Sequence, residues 1–226
     1  MSVGADVVFP MQLSLTVALI ATCGVALVGI PIAYFLAMRE FPGKGVLETL
    51  VMLPLVLPPI VTGYYLLLLI GRGGVLGAIT RTLTGTALGL TFTWQAAAIA
   101  SFVIALPLGI ATARAAIASV DRVHSDASRI LGRSEFETAF YIVLPLAARG
   151  VIAGLALAFA RAMGEFGATV MVAGNIPGRT NTMALQIYNA TIYGDWRTAT
   201  LLVVLLTAVS GGFLLVANWL TRVVVK

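Results

Sequence analysis

Long apolar runs separated by short polar ones set the plan of this chain. Five stretches, roughly 10–38, 46–70, 86–113, 146–174 and 198–221, are almost free of charge. A hydrocarbon layer about 30 Å thick is crossed by about 20 apolar residues of helix, so each stretch is predicted to be a transmembrane helix. The connections fall at 39–45, 71–85, 114–145 and 175–197. They leave no room for a separate soluble domain. Residues 1–226 are therefore expected to form one membrane domain, an all-α polytopic bundle of about five spans.

Composition excludes the soluble alternatives. The chain is 60% hydrophobic and 10% charged, with a mean hydropathy of +1.03, whereas soluble domains are about 45–50% apolar and about 25% charged. Fourteen Lys and Arg against nine Asp and Glu give a net charge of +5. The cations sit between apolar runs, where an inside-positive bias explains them better than nucleic acid does. A cytoplasmic C-terminus gathers nine of them inside: Arg39, Lys44, Arg114, Arg122, Arg129, Arg133, Arg149, Arg222 and Lys226. It leaves four outside: Arg72, Arg81, Arg179 and Arg197. The N-terminus is accordingly expected outside. Cys23, the single cysteine, lies in an apolar run and reads as a packing residue. Continuous apolar sequence after it argues against a lipoprotein site, and the absence of Lys or Arg before Arg39 argues against a cleaved signal.

The second stretch carries Pro54, Pro58 and Pro59, each of which removes a backbone donor and should kink or unwind the helix. Backbone freed at membrane depth is tolerated only against protein or a watery cavity. These prolines are thus candidates for lining a pathway, the alternative being a merely kinked packing helix. Pro31 and Pro107 predict single kinks, and Gly150 with Gly154 allows close helix approach.

The connection 114–145 is the most polar long segment. Val123, Ala127, Ile130 and Leu131 fall on one face of a short helix, Gly132 stands where a left-handed stop is wanted, and Ser134-Glu-Phe-Glu137 matches a capping box. Pro145 follows where the chain turns into the fourth span. The segment predicts a helix-turn-helix on the cytoplasmic surface, with Val123, Ile130 and Leu131 as a stripe free to dock. From the residues alone, a plain amphipathic linker is the alternative.

Spacing adds a resemblance. Asp126-Ala-Ser128, Gly132 and Ile142-Val-Leu144-Pro145 resemble the cytoplasmic loop signature of bacterial ABC importer permeases: Glu-Ala-Ala, three residues, Gly, nine residues, Ile-x-Leu-Pro. Asp126 stands for Glu and Ser128 for Ala. Further on, Ala160-Arg-Ala-Met-Gly-Glu-Phe-Gly-Ala168 and Ala173-Gly-Asn-Ile-Pro-Gly178 are similar to the molybdate branch of that family; the sulfate permeases match the first segment better than the second. The resemblance runs from about Leu13 to the C-terminus, although some relatives carry an extra N-terminal span. It implies that Asp126, Ala127, Ser128, Gly132, Ile142, Leu144 and Pro145 belong to a coupling loop that fits a groove on a separate ATPase subunit. It also implies a homodimer in the bacterial inner membrane, fed by a periplasmic oxyanion-binding protein. Molybdate is the expected cargo, with sulfate or tungstate as alternatives. No cofactor is expected in this chain, ATP and Mg being held by the ATPase.

The sequence itself carries no GxxxxGK[ST] phosphate loop and no HExxH, so neither a catalytic nor a metal site is expected. Gly174-Asn-Ile-Pro-Gly-Arg-Thr180 is one residue short of the former and reads as an outer loop. His124, the only histidine, is expected to be solvated. The outer segment 175–197 mixes Tyr and Ile with amides and suits a docking surface or an interfacial anchor. A self-sufficient carrier or channel is the rival class, but five spans do not divide into two inverted halves. A mere membrane anchor leaves the broken second span and the buried charges unexplained. Those charges are Arg161 and Glu165. At 1.5 Å per residue they lie about 22 and 28 Å into the fourth span, and at i, i+4 they share a face. They read as a structural clamp beside Gly164 and Gly167 or, less favoured, as a cationic stepping stone for the anion.

Overall fold

The computed structural model describes residues 3–86 and 89–223. Lys226, one of the nine cations counted above, lies outside them, as do 87 and 88 near the start of the third expected span. The described residues form helices and connecting turns, with no β-strand among them.

Span one is α1 (Val3–Gly24), a π turn (Val25–Gly29) and α2 (Ile30–Met38). Pro31 cannot donate to the carbonyl of Leu27, and its ring crowds that carbonyl. The widened turn holds Leu27 and absorbs the conflict. The second expected span is two helices, α3 (Lys44–Val56) and α4 (Pro59–Ile70). A residue before proline is pushed out of the helical region, and here it happens twice: Leu57 (ψ 145°) and Pro58 (ψ 134°) are both extended. The helix restarts on Pro59, whose missing N–H is no loss at a first helical position. Neither half is long enough alone. The stretch that meets length and hydropathy unaided is instead Pro59–Thr84, α4 together with α5 (Val75–Thr84). Even so, α3 and α4 run alongside α6 from end to end, because Glu48 pairs with Arg114 (2.8 Å) while Ile70 packs in the cluster containing Ala96.

Helix α6 (Trp94–Ala118) is the axis of the bundle and continues through Pro107. Its buried face is mostly Ala, Gly and Ser, which lets neighbours approach closely. A β-carbon on Gly109 would strike Val25, and one on Gly150 of α10 (Ala148–Met163) would strike Ala116. Before α10 come α7 (Arg122–Ile130), α8 (Glu135–Thr138), a second π turn (Ala139–Val143) and α9 (Leu144–Leu146). This π turn contains Tyr141, four residues before Pro145, so the same proline conflict has the same answer. At Ala147 the chain bends by 80° from Glu135–Leu146 into α10.

The fourth expected span is also broken. Helix α10 stops at Met163, and α11 (Gly167–Ala173) resumes after Gly164, Glu165 and Phe166. After α12 (Met183–Ile192), α13 (Trp196–Val223) closes the chain. Span one, α6 and α13 run one way, and α3–α4 and α10–α11 the other. Among the described residues, four helices are long and apolar enough to cross a membrane, or up to five when the bent pair counts as one span. Only 11% of the most apolar stretch of α13 is buried, against 61% for that of α6, so one side of the bundle is left to lipid or to another chain. We call the end carrying α7–α9 the loop face and the opposite end the far face.

Candidate functional site

On the loop face, α7 is inside out. Ser125 and Ser128 are its buried residues, whereas Val123, Ile130 and Leu131 are 68%, 86% and 81% exposed. Ser128 shares a hydrogen bond with the Thr138 hydroxyl (2.9 Å), which ties α7 to α8 through their polar sides. Asp121 caps α7, its carboxylate accepting the Val123 N–H (3.0 Å). At the other end Gly132 has φ +80°, the left-handed value predicted for it. The Gly132 N–H donates to Arg129 O (3.0 Å) and the Arg133 N–H to Ser128 O (3.2 Å), a complete Schellman stop. The capping box is formed in both directions: Glu137 N–H to Ser134 Oγ (3.3 Å) and Ser134 N–H to Glu137 Oε2 (2.8 Å). These Ser134 donors hold the Glu137 carboxyl below the usual glutamate range.

Of the other expected loop residues, Asp126 is exposed and pairs with Arg129 (3.2 Å), Ala127 and Pro145 are exposed, and Ile142 and Leu144 are half-buried. His124 is exposed, as expected. Exposed Phe136, Phe140 and Tyr141 extend the apolar surface. The i, i+4 spacing of Phe136 and Phe140 was in the sequence, but the docking stripe expected there was confined to Val123, Ile130 and Leu131. Glu135 joins the loop to span one, taking Arg129 (3.1 Å), Arg39 (3.3 Å) and the Tyr34 hydroxyl (3.3 Å).

Inside the membrane the two broken spans cross at their breaks. A β-carbon on Gly167 would lie 3.0 Å from Pro59, and one on Gly63 would lie 2.8 Å from the Ala168 backbone. Pro54 and Pro59 are half-buried, and Pro58 is exposed. The structure brings Pro59 against α11, while Pro54 lies a turn back on α3. Arg161 meets Glu165 at 2.9 Å, with Arg161 29% exposed and Glu165 1%. They do so across the break rather than along one helix. The second Glu165 oxygen accepts the Ala168 N–H (2.8 Å), so this carboxylate also starts α11. Gly167 has the close neighbour expected of it; Gly164 does not. Thr62 and Thr169, beside this crossing, have buried hydroxyls without a hydrogen-bond partner among the described residues, a detail that sequence did not signal. On the loop side of the break a cavity of about 700 Å³ opens between α3 and α6, with the Glu48–Arg114 pair in its wall.

The segment 175–197 folds against the bundle on the far face. Met183 and Leu185 of α12 are buried, and the Met183 N–H donates to Ser14 Oγ (2.8 Å). Tyr188, Ile192, Tyr193 and Trp196 remain exposed. Asp6, Asn181, Gln186, Asn189 and Asp195 help line a cavity of about 400 Å³ on this far face, beside Phe9, Pro10 and Tyr193.

Known proteins match these features. Residues 29–226 fit the family described as "Binding-protein-dependent transport system inner membrane component". The molybdenum transport system permease protein ModB of Haemophilus influenzae is 38% identical over 216 residues, 94% of this chain and 92% of that protein. Its Escherichia coli K12 counterpart is 39% identical over 197 residues, 86% and 85%. Sulfate permease 2 of Chlamydomonas reinhardtii is 33% identical, over 92% of this chain and 56% of that protein. Among solved structures, the MetNI methionine ABC transporter superposes with a TM-score of 0.74 at 17% identity, over 97% and 96% of the two chains. An alginate ABC transporter in complex with an alginate-bound periplasmic protein gives 0.78 at 15%, over 97% and 79%. With its crossed broken spans and its outward apolar loop, the chain belongs to the inner-membrane permeases of binding-protein-dependent ABC transporters.

Proposed function

We propose that this chain is the permease of a molybdate importer, working as a homodimer with two ATPase subunits on its loop face and an oxyanion-binding protein on its far face. The loop face is then cytoplasmic and the N-terminus periplasmic. The observation that carries the reading is the inside-out loop. A helix that buries two serines and exposes Ile130 and Leu131 is built for a partner, and its spacing is that of the coupling loop. ATP and Mg belong to the separate ATPase, whose closure would pull on α7–α9 and move the crossed breaks. Near-full-length identity to molybdenum permeases supports molybdate, and the sulfate permease likeness keeps sulfate as the second reading.

In this reading Arg161–Glu165 is a clamp. Glu165 is enclosed, with one oxygen on Arg161 and the other on a backbone N–H, and a carboxylate there repels a dianion. Uptake into vesicles tests the whole. Molybdate transport is expected only when the ATPase, ATP and a molybdate-loaded binding protein are all present. Uptake by the chain alone would make it a carrier, and stimulation by sulfate-loaded protein only would select the second reading.

A further inference from the structure

One carboxylate fastens the loop to span one. Among the described residues, Glu135 alone carries hydrogen bonds or ion pairs from α7–α9 to span one and its C-terminal cap. It accepts from the Tyr34 hydroxyl (3.3 Å) and from Arg39 (3.3 Å). Its Oε1 also takes Arg129 (3.1 Å), in the last turn of α7, and Arg129 is held in turn by Asp126 (3.2 Å). The side chain is thus shared between the end of the first span and the short helix that ends on exposed Ile130 and Leu131.

Glu135 also stands at the end of a lever. It opens the Glu135–Leu146 helix, and toward the other end of that helix Val143 is fully buried. Val143 sits in one cluster with Ala33 and Leu36 of span one and with Ile110 and Ile117 of α6. Glu135 and Val143 lie about 12 Å apart at about 1.5 Å per residue. Close-packed apolar contacts yield little, so a push on α7 tilts this helix about Val143 and displaces its Glu135 end most. The chain passes that tilt to α10 through the 80° bend at Ala147. No short covalent connection passes it to span one, and that task falls to Glu135.

We propose that Glu135 is a positioning residue for coupling, drawing the end of span one along when the docked loop moves. The proposal rests on the loop face being the ATPase side. The Glu135, Arg129 and Arg39 side chains are 38%, 41% and 55% exposed, and exposed ion pairs add little to folding. Three donors converging on one carboxylate nevertheless fix its place from two elements at once. Loss of the carboxylate should therefore leave the fold and the docking stripe in place, while span one stops following the loop.

The complete complex in vesicles tests this, with ATP hydrolysis and molybdate uptake measured together in the presence of the ATPase and the molybdate-loaded binding protein. Glu135→Gln keeps the size of the side chain and removes its charge. ATP consumed per molybdate imported is expected to rise about fivefold, the low end for a coupling between sites. Tyr34→Phe with Arg39→Gln cuts the same tie from span one and should give the same rise. Adding Glu135→Gln to that pair should then add little more. Amide exchange at residues 34–39 is a second readout, independent of the cargo: ATP binding should change it in the parent complex and not in Glu135→Gln. That result supports the proposal even if the parent imports no molybdate, which would count against the cargo alone. An unchanged elution profile and co-purification with the ATPase would show each variant folded and docked; should Glu135→Gln fail to fold, the Tyr34 and Arg39 pair serves by itself. Parent-like hydrolysis per molybdate and parent-like exchange in the variants overturn the proposal, as does full additivity of the two sets. So does loss of co-purification, which would make Glu135 a support for the docking surface and no more.

Discussion

Gly63 of α4 and Ala168 of α11 touch backbone to backbone: a β-carbon on Gly63 would sit 2.8 Å from the Ala168 α-carbon. Backbone cannot step aside as a flexible side-chain end can. Gly63→Val is expected to push the two broken spans apart at a cost of about 1–3 kcal/mol. The melting midpoint in detergent should fall, and uptake should fall with it. Parent-like stability in Gly63→Val would mean that the crossing is loose.

Gly132 offers a cleaner test of the loop. Beyond its two chain neighbours, no described atom lies within 4 Å of the place where its β-carbon would be, so a substitution there acts through φ. Gly132→Val is expected to strain the turn by about 1–2 kcal/mol. It should abolish uptake while leaving membrane insertion and melting of the spans intact. Normal ATP-driven uptake in this variant would remove the loop from the coupling path.

Ile130 and Leu131 touch little of their own chain. Ile130→Asp with Leu131→Asp should therefore leave the melting curve unchanged while the variant no longer co-purifies with the ATPase. Undiminished co-purification would place the docking surface elsewhere.

Arg161 and Glu165 separate a clamp from a stepping stone. Removing one partner of a buried pair costs about 3–5 kcal/mol, with the lower end expected here because Arg161 is partly exposed. Glu165→Ala should also cost α11 its first hydrogen bond. A clamp predicts that Arg161→Glu and Glu165→Arg each impair assembly and that the double change restores part of it. Normal assembly with selective loss of uptake in Arg161→Gln would favour the stepping stone.

The capping box should respond to acid. The Glu137 carboxyl titrates lower in the fold than its ordinary 4.5. Its contribution is therefore present above that value and is lost as pH falls through the lowered folded value. Amide protection at residues 134–138 should drop across that window in the parent chain and change less in Glu137→Gln. Equal pH dependence of the two would dismiss the box as a source of loop stability.

What could be read from the sequence was local. Gly132 and Ser134 announce a stop and a start within a few residues of each other, and Pro58-Pro59 announces two extended residues, because these effects need only neighbours in the chain. The break after Met163 carried no such signal. Gly164 is one of 23 glycines, and what ends α10 there is packing against Pro59 and the reach of Glu165 to Ala168. The π turns were half visible. Pro31 forecast a kink and Pro145 a turn into the fourth span, but whether a helix kinks or widens depends on what lies beside it. The burial of Ser125 and Ser128 ran against ordinary amphipathic logic and could be seen only with Thr138 in place.

The inside-out loop has a consequence for how the cell must make this protein. In the proposed assembly, a copy without its ATPase holds Ile130, Leu131 and Phe136 more than 70% exposed on the loop face. Such surface is a site for adhesion and for surveillance by proteases. Synthesis in excess of the partner therefore turns a working surface into a hazard, and balanced production of the subunits becomes a requirement of the fold itself.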